Sequence, residues 1–121
     1  MSSDTTRPDA TFGPVSGDDM AEWCAALRDD NAIHLSRAAA AAAGFGPNRV
    51  NPGPANLAYV LSAAMARDPQ AEFARITARF LGNVFEGDML SIRLADEAAE
   101  LRATTRDATV LAVQLTRKER P

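Results

Sequence analysis

The chain has 121 residues, of which sixteen are acidic and thirteen basic, for a net charge of −3. This length favours a single domain with its own core, and the scattered basic residues argue against a nucleic acid partner. Because no apolar run approaches the roughly 20 residues of a membrane-spanning helix, and the N-terminus lacks a signal-peptide pattern, we expect a cytoplasmic protein without a membrane partner.

The first half of the sequence predicts three helices. Residues 1–10 are polar, which is typical of a flexible tail, and the domain is expected to fill residues 11–121. The first helix follows Ser16, a good N-cap, and the second follows Ser36 and ends at Gly44. The third lies in ANLAYVLSAAMARD. Its apolar residues surround almost the whole helix, so we expect it to be the buried one.

The single cysteine, Cys24, belongs to the first predicted helix. One cysteine excludes an intrachain disulfide, and with one histidine the chain has no cluster for a structural zinc site. His34 is the obvious base if Cys24 is a nucleophile. The position of Cys24 within the apolar pattern of the helix favours a packed core thiol instead.

The second half of the sequence predicts four antiparallel strands. From residue 71 the period of the pattern changes to two, first in EFARITARFLGNV and then in MLSIRLAD, AELRATTRD and TVLAVQLTRK. The phase of the first of these strands stays open. Gly87 marks a turn before the second. Helices followed by a run of strands are typical of the α+β class, in which one face of an antiparallel sheet packs against a helix.

Candidate acid–base residues gather between the first two helices, in the segment DDNAIH. A loop there can direct several side chains towards one point. Asp29 and His34 are five positions apart and can converge if the chain between them bends. Asn31 adds an amide that can lock either side chain by hydrogen bonds. The alternative is that Asp and Asn form a cap or turn while His34 satisfies a backbone group.

This segment resembles the motif of the MaoC-like (R)-specific enoyl-thioester hydratases, which have a hotdog fold. The family motif is Gly-Asp-x-Asn-Pro-(Leu/Ile/Val)-His, with a small residue six positions later. The matching residues of this chain are Asp29, Asn31, Ile33, His34 and Ala40. Arg28 replaces the family's glycine, and Ala32 replaces its proline. The resemblance implies that Asp29 and His34 are the catalytic pair and that Asn31 helps to order them.

A second stretch, VNPGPANLAYV, resembles the family's Ile-x-His-Gly sequence at the start of the central helix. Gly53 matches the glycine, and Pro52 replaces the histidine. Pro52 and Pro54 have no N–H, so Gly53 is the free donor between them, at the positive end of a helix. The resemblance implies that Gly53 forms an oxyanion hole for the thioester carbonyl. The alternative is a turn that merely starts a helix. A weaker match, FEGD at residues 85–88, is interpreted as a turn.

The resemblance extends from about residue 11 to the C-terminus and implies a single hotdog domain, with an antiparallel sheet wrapped around a central helix. Family members add water reversibly to trans-2-enoyl thioesters of coenzyme A or acyl carrier protein, or remove it from (R)-3-hydroxyacyl thioesters. They use no metal or redox cofactor and commonly form homodimers. Tyr59 and Met65 on the third helix are candidates for lining an acyl tunnel, although the apolar pattern favours core packing for both.

Two other functions stay open on the sequence alone. A different hotdog enzyme, either a thioesterase or an enzyme that adds another nucleophile to an enoyl thioester, would release free thiol or require an amine co-substrate. A non-catalytic acyl-thioester-binding subunit would bind acyl-coenzyme A without turnover, and changes at His34 would not affect it.

Overall fold

The computed structural model describes residues 7–119 as an antiparallel five-stranded sheet with three α-helices. In chain order the elements are β1 Ala10–Phe12, α1 Gly17–Leu27, a 3₁₀ turn Ala32–His34, α2 Arg37–Ala42, α3 Gly53–Arg67, β2 Phe73–Phe80, β3 Leu90–Leu94, β4 Ala98–Ala103 and β5 Ala108–Arg117. The order across the sheet is β1-β3-β4-β5-β2, so β1 and β2 form its edges. The predicted α+β class is confirmed. Within the described residues, no helix is long and apolar enough to cross a membrane.

Polar caps set the starts of the first two helices, as the sequence predicts. The hydroxyl oxygens of Ser16 and Ser36 each accept the amide three residues later at 3.1 Å. The start of α3 is different, because Pro52 at its N-cap makes no side-chain hydrogen bond. The first turn of α3 contains Gly53 and then Pro54, whose missing N–H removes one donor that would need an acceptor.

The core lies between α3 and one face of the sheet. On α3 the buried apolar residues include Val60, Ala63 and Ala64, and on β4 alternate residues are buried, as predicted for a strand with one face on the core. The largest fully buried strand residues are Leu90, Ile92, Leu101, Leu111 and Val110. Each such side chain contributes about 1.5–3 kcal/mol to stability by leaving water. The expected antiparallel sheet around a central helix is therefore confirmed.

The N-terminal strand was not predicted from the sequence. Ala10 pairs with Ile92 and Phe12 pairs with Leu90 on β3. The amide of Asp9 also donates to the Ile92 carbonyl at 2.8 Å, and its carboxylate accepts the Leu94 amide at 2.7 Å. The sheet thus begins inside the segment that was expected to be a tail. Residues 1–6 of that tail lie outside the described residues.

Edge strand β2 has a partly exposed inner face. It pairs with β5 up to Phe80 opposite Leu111, and the pairing register shifts between Phe73 and Arg75. Ala78 packs against the core on this face. Two further side chains of the same face, Ile76 and Phe80, are 44% and 53% exposed. The phase that the sequence left open is now known, and it leaves apolar side chains at the edge of the sheet.

Candidate active site

Asp29 and His34 are brought together between α1 and α2. Arg28 adopts a left-handed conformation (φ 54°, ψ 39°) at the end of α1, and the 3₁₀ turn then carries His34 back over Asp29. His34 Nε2 lies 3.3 Å from Asp29 Oδ2. The His34 side chain is 10% exposed and that of Asp29 is 36% exposed. The carboxylate is therefore the solvent-facing member of the pair.

The second imidazole nitrogen of His34 has a fixed partner. Nδ1 lies 2.7 Å from the carbonyl oxygen of Val50, in a buried position. Since a carbonyl oxygen only accepts hydrogen bonds, Nδ1 carries a proton, and in the neutral ring Nε2 is an acceptor. Nε2 and Asp29 Oδ2 are then two acceptors that face each other. They require a shared proton, or a donor such as a water or substrate hydroxyl, between them.

Asn31 orders this pair from both sides. Its backbone N–H donates to Asp29 Oδ1 at 3.0 Å, which leaves Oδ2 towards the histidine. Its side-chain oxygen accepts the Ile33 amide at 3.2 Å and so caps the 3₁₀ turn that carries His34. The structure thus places the three residues predicted as the catalytic group in one cluster.

The two residues that depart from the family motif lie in a backbone that the family's glycine and proline would also fit. Arg28 occupies the left-handed region that glycine adopts without strain. Ala32 is the first residue of the 3₁₀ turn, and the preceding Asn31 has φ −61° and ψ 122°. That is the conformation favoured before proline. The backbone of this loop is therefore compatible with glycine at position 28 and with proline at position 32.

Gly53 opens α3 three residues after Val50. As the first residue of a helix it has an amide without an intrahelical acceptor. A Cβ at this position would lie 3.4 Å from the ring of Phe80, so the aromatic ring bounds one side of the glycine. The three intervening peptide units span at most about 11 Å. Gly53 therefore lies within about 11 Å of Val50, whose carbonyl holds His34.

The two residues predicted to contact the acyl chain differ in their surroundings. Tyr59 is half-buried, and its ring stacks on Phe12 with the centroids 5.1 Å apart. Burial raises the pKa of its phenol. Met65 is 63% exposed, so the interpretation of Met65 as a core residue is wrong. Helix geometry places Tyr59 about 9 Å and Met65 about 18 Å along α3 from Gly53.

Cys24 and the surface near Asp29 complete the surroundings of the pair. Cys24 is 4% exposed, and burial raises the pKa of its thiol, so the predicted core thiol is confirmed.

A shallow depression of about 390 Å³ opens beside Asp29, and its lining includes Arg28 and Leu35. Across residues 7–119 no three His, Cys, Asp or Glu side chains are grouped so that they could hold a metal ion.

The turn at residues 85–88 supplies a residue near the site that could not be predicted from the sequence. Gly87 has φ 90° and the Asp88 amide donates to the Phe85 carbonyl, which confirms the predicted turn. Between them, Glu86 accepts hydrogen bonds from Arg37 and Arg49. The two guanidinium groups hold the pKa of the Glu86 carboxyl well below its usual range. No sequence signal joins these residues, which lie 49 and 37 positions from Glu86.

One protein family matches nearly the whole chain. The family described as MaoC like domain matches residues 4–117. The chain belongs to the MaoC-like domain family. The resemblance inferred from the sequence motifs is therefore confirmed. A comparison with curated proteins found no match.

Solved structures share the hotdog fold of this MaoC-like domain. HtdX of Mycobacterium tuberculosis is 23% identical with a TM-score of 0.79, over 92% of this chain and 48% of HtdX. R-hydratase PhaJ1 from Pseudomonas aeruginosa is 22% identical with a TM-score of 0.71, over 88% of this chain and 76% of PhaJ1. The 3R-hydroxyacyl-ACP dehydratase HadBC from Mycobacterium tuberculosis is 18% identical with a TM-score of 0.66, over 90% of both chains. The chain spans about half the length of HtdX.

Proposed function

We propose that this MaoC-like domain catalyses the reversible hydration of trans-2-enoyl thioesters to (R)-3-hydroxyacyl thioesters. The observation that carries the proposal is the contact of His34 Nε2 with Asp29 Oδ2, with Nδ1 fixed on the Val50 carbonyl. The names of two structural neighbours, an R-hydratase and a 3R-hydroxyacyl-ACP dehydratase, support this reaction class. The substrate thioester belongs to coenzyme A or an acyl carrier protein, and no cofactor is required.

In the hydration direction, a water molecule donates to Nε2 of His34 and to Oδ2 of Asp29. One O–H bond of the water breaks as its oxygen forms a bond to C3, and the proton passes to the pair. The electron pair of the C2–C3 double bond moves towards the thioester carbonyl. The pair then delivers one proton to C2, which restores its own charge state. Dehydration follows the same steps in reverse.

The amide of Gly53 stabilises the thioester oxygen while negative charge develops there. It lies at the N-terminus of the 15-residue helix α3, where the helix dipole favours negative charge. Removal of one such oxyanion donor typically costs about 10²–10³ in kcat. Phe80 bounds the same glycine, so this place is partly shielded from water. From here the acyl chain would run along α3, where Tyr59 and Met65 stay candidates for its contacts.

We infer that a second subunit covers the exposed inner face of β2. Ile76 and Phe80 lie there at a sheet edge that no strand within residues 7–119 pairs with, and an open edge with apolar side chains favours association. A homodimer is the expected assembly. The HadBC and ChsH1–ChsH2 neighbours are complexes of two different chains, so a second MaoC-like chain is the alternative partner. A cytoplasmic location stays a prediction.

The enoyl-thioester absorbance tests this function directly. The purified protein is mixed with short and medium trans-2-enoyl-coenzyme A substrates, and free thiol is measured in parallel. Loss of absorbance without free thiol is the expected result. Release of thiol would identify a thioesterase, and turnover only with an added amine would identify addition of another nucleophile. Binding of acyl-coenzyme A without turnover would indicate a non-catalytic subunit.

A further inference from the structure

Glu86 binds two arginine side chains at the same time. Arg37 donates from Nε to Oε1 at 3.0 Å and from a terminal nitrogen to Oε2 at 2.7 Å. Arg49 donates in the same way at 3.2 and 2.7 Å. The Glu86 side chain is 13% exposed. Bidentate arginine–carboxylate pairs are strong and geometrically restrictive, so this cluster fixes the relative positions of three chain segments.

One of these segments carries His34, and a second carries the carbonyl that accepts its Nδ1–H. Arg37 begins α2, three residues after His34, and Arg49 immediately precedes Val50, whose carbonyl accepts the imidazole Nδ1–H. The Glu86 carboxylate therefore connects the segment that carries the imidazole to the segment that carries its acceptor.

The backbone also joins these segments, through a hydrogen bond between the residue before His34 and Val50 itself. The amide of Val50 donates to Ile33 at 3.0 Å, and the amide of Glu86 donates to Arg49 at 2.9 Å. Neither of these two backbone hydrogen bonds involves α2, so the Arg37–Glu86 contact adds α2 to an arrangement that the backbone has begun. A Cβ at Gly17 would overlap the Arg49 guanidinium, so α1 confines that side chain from the other direction.

We propose that Glu86 is a positioning residue that sets the tautomer of His34. By holding Arg37 and Arg49 together, it keeps Nδ1–H on the Val50 carbonyl and leaves the Nε2 lone pair towards Asp29. Its catalytic importance rests on the proposed function, whereas its effect on the tautomer does not. Without the carboxylate, the hydrogen bond to Val50 loosens, and part of the population presents Nε2–H to Asp29.

The tautomer can be measured directly because His34 is the only histidine of the chain. Labelling with ¹⁵N-histidine gives one imidazole spectrum, recorded under mildly alkaline conditions where a free imidazole is neutral. We expect the folded wild-type protein to show the Nδ1–H tautomer, and Glu86→Gln to shift both nitrogen resonances towards a mixture. Glu72→Gln is the matched control, because the Glu72 side chain is 74% exposed and pairs only loosely with Lys118, at 3.6 Å. It should retain the wild-type spectrum.

Arg37→Lys provides a second test that does not depend on the folding of Glu86→Gln. The Arg37 side chain is 63% exposed, and lysine keeps the charge while losing the bidentate geometry. We expect a smaller shift in the same direction. A wild-type imidazole spectrum in folded Arg37→Lys and in any folded Glu86→Gln would overturn the proposal.

The steady-state kinetics of Glu86→Gln distinguish the positioning role of Glu86 from the proposed hydratase function. If the wild-type enzyme hydrates enoyl thioesters, Glu86→Gln should lower kcat by about 10- to 100-fold with little change in KM, as expected for a misplaced catalytic group. A tautomer shift in a protein without any hydratase activity would support the positioning role and contradict the function. Unchanged kcat together with an unchanged spectrum would contradict the positioning role alone.

Discussion

At the scale of single residues, Arg28 shows how the loop keeps its path without the glycine of the family motif. Its φ of 54° lies in the left-handed region, and its amide still donates to the Ala25 carbonyl at 3.3 Å. A side chain in this region costs roughly 1–2 kcal/mol. The chain accepts that cost immediately before Asp29, where the direction of the loop decides whether the carboxylate reaches His34.

We expect Arg28→Gly to raise the free energy of unfolding by about 0.5–1 kcal/mol. Relief of the left-handed strain exceeds the entropy that glycine adds to the unfolded chain. Urea denaturation measures the change. Arg28→Ala is the control, because it removes the same side chain but keeps a Cβ and its strain. The interpretation is wrong if Arg28→Gly is no more stable than Arg28→Ala.

Some residues of the site could be predicted from the sequence, and others could not. Asp29, Asn31 and His34 could be predicted because they lie within six consecutive positions and match a spaced motif. The Val50 carbonyl could not, since it lies 16 positions from His34 and a backbone acceptor leaves no residue signature. Glu86 was equally hidden, because its arginines approach it only in the folded chain.

At the scale of secondary-structure elements, local chemistry predicted most boundaries. Ser16 and Ser36 cap α1 and α2, and Pro54 lies in the first turn of α3. Strand β1 was missed because three residues are too few to show an alternating pattern. Its pairing with β3 depends on contacts from the far end of the chain. Elements that carry their own signals were predictable, and elements defined by a distant partner were not.

We expect Ala32→Pro to stabilise the 3₁₀ turn by about 0.4–1 kcal/mol. Ala32 is the first residue of that turn, and Asn31 already has the conformation that proline requires before it. Thermal denaturation and the hydratase assay together check the stability and the geometry of the pair.

Ala41→Pro is the control for Ala32→Pro and is expected to destabilise the protein. Ala41 lies inside α2, where proline removes a helical hydrogen bond and costs about 3 kcal/mol. A loss of stability in Ala32→Pro comparable to that of Ala41→Pro would contradict the interpretation of Ala32 as a proline-compatible position.

At the scale of the whole molecule, the α+β class followed from helices that precede a change of hydrophobic period near residue 71, and the central helix followed from its own apolar pattern. The orientation of β2 did not, because an edge strand with exposed side chains on both faces gives no clean alternation. Ile76 and Phe80 therefore became meaningful only when the sheet order placed them beside an unpaired edge. These two exposed apolar side chains are the reason to expect a second subunit.

We expect Ile76→Lys to weaken dimerisation by at least about tenfold. Burial of an isoleucine side chain contributes about 1.5–3 kcal/mol, and the variant adds a charge to each side of the contact. Light scattering over a range of concentrations measures the effect. Phe45→Lys, at a residue 37% exposed in the loop after α2, is the control and should leave the assembly unchanged. A wild-type protein that is monomeric at all concentrations would contradict the predicted homodimer.

Two neighbouring aspartates, compared in the enoyl-coenzyme A hydration assay, give the most direct test of the proposed catalytic pair. Asp29 faces His34 across 3.3 Å, whereas the adjacent Asp30 is exposed. Asp29→Asn should lower kcat/KM by about 10²–10⁴, the usual contribution of an acid–base group, with an unchanged circular dichroism spectrum. Asp30→Asn should stay within about twofold of the wild type, as expected for a surface substitution. Full activity of Asp29→Asn would contradict the assignment of Asp29 and His34 as the catalytic pair.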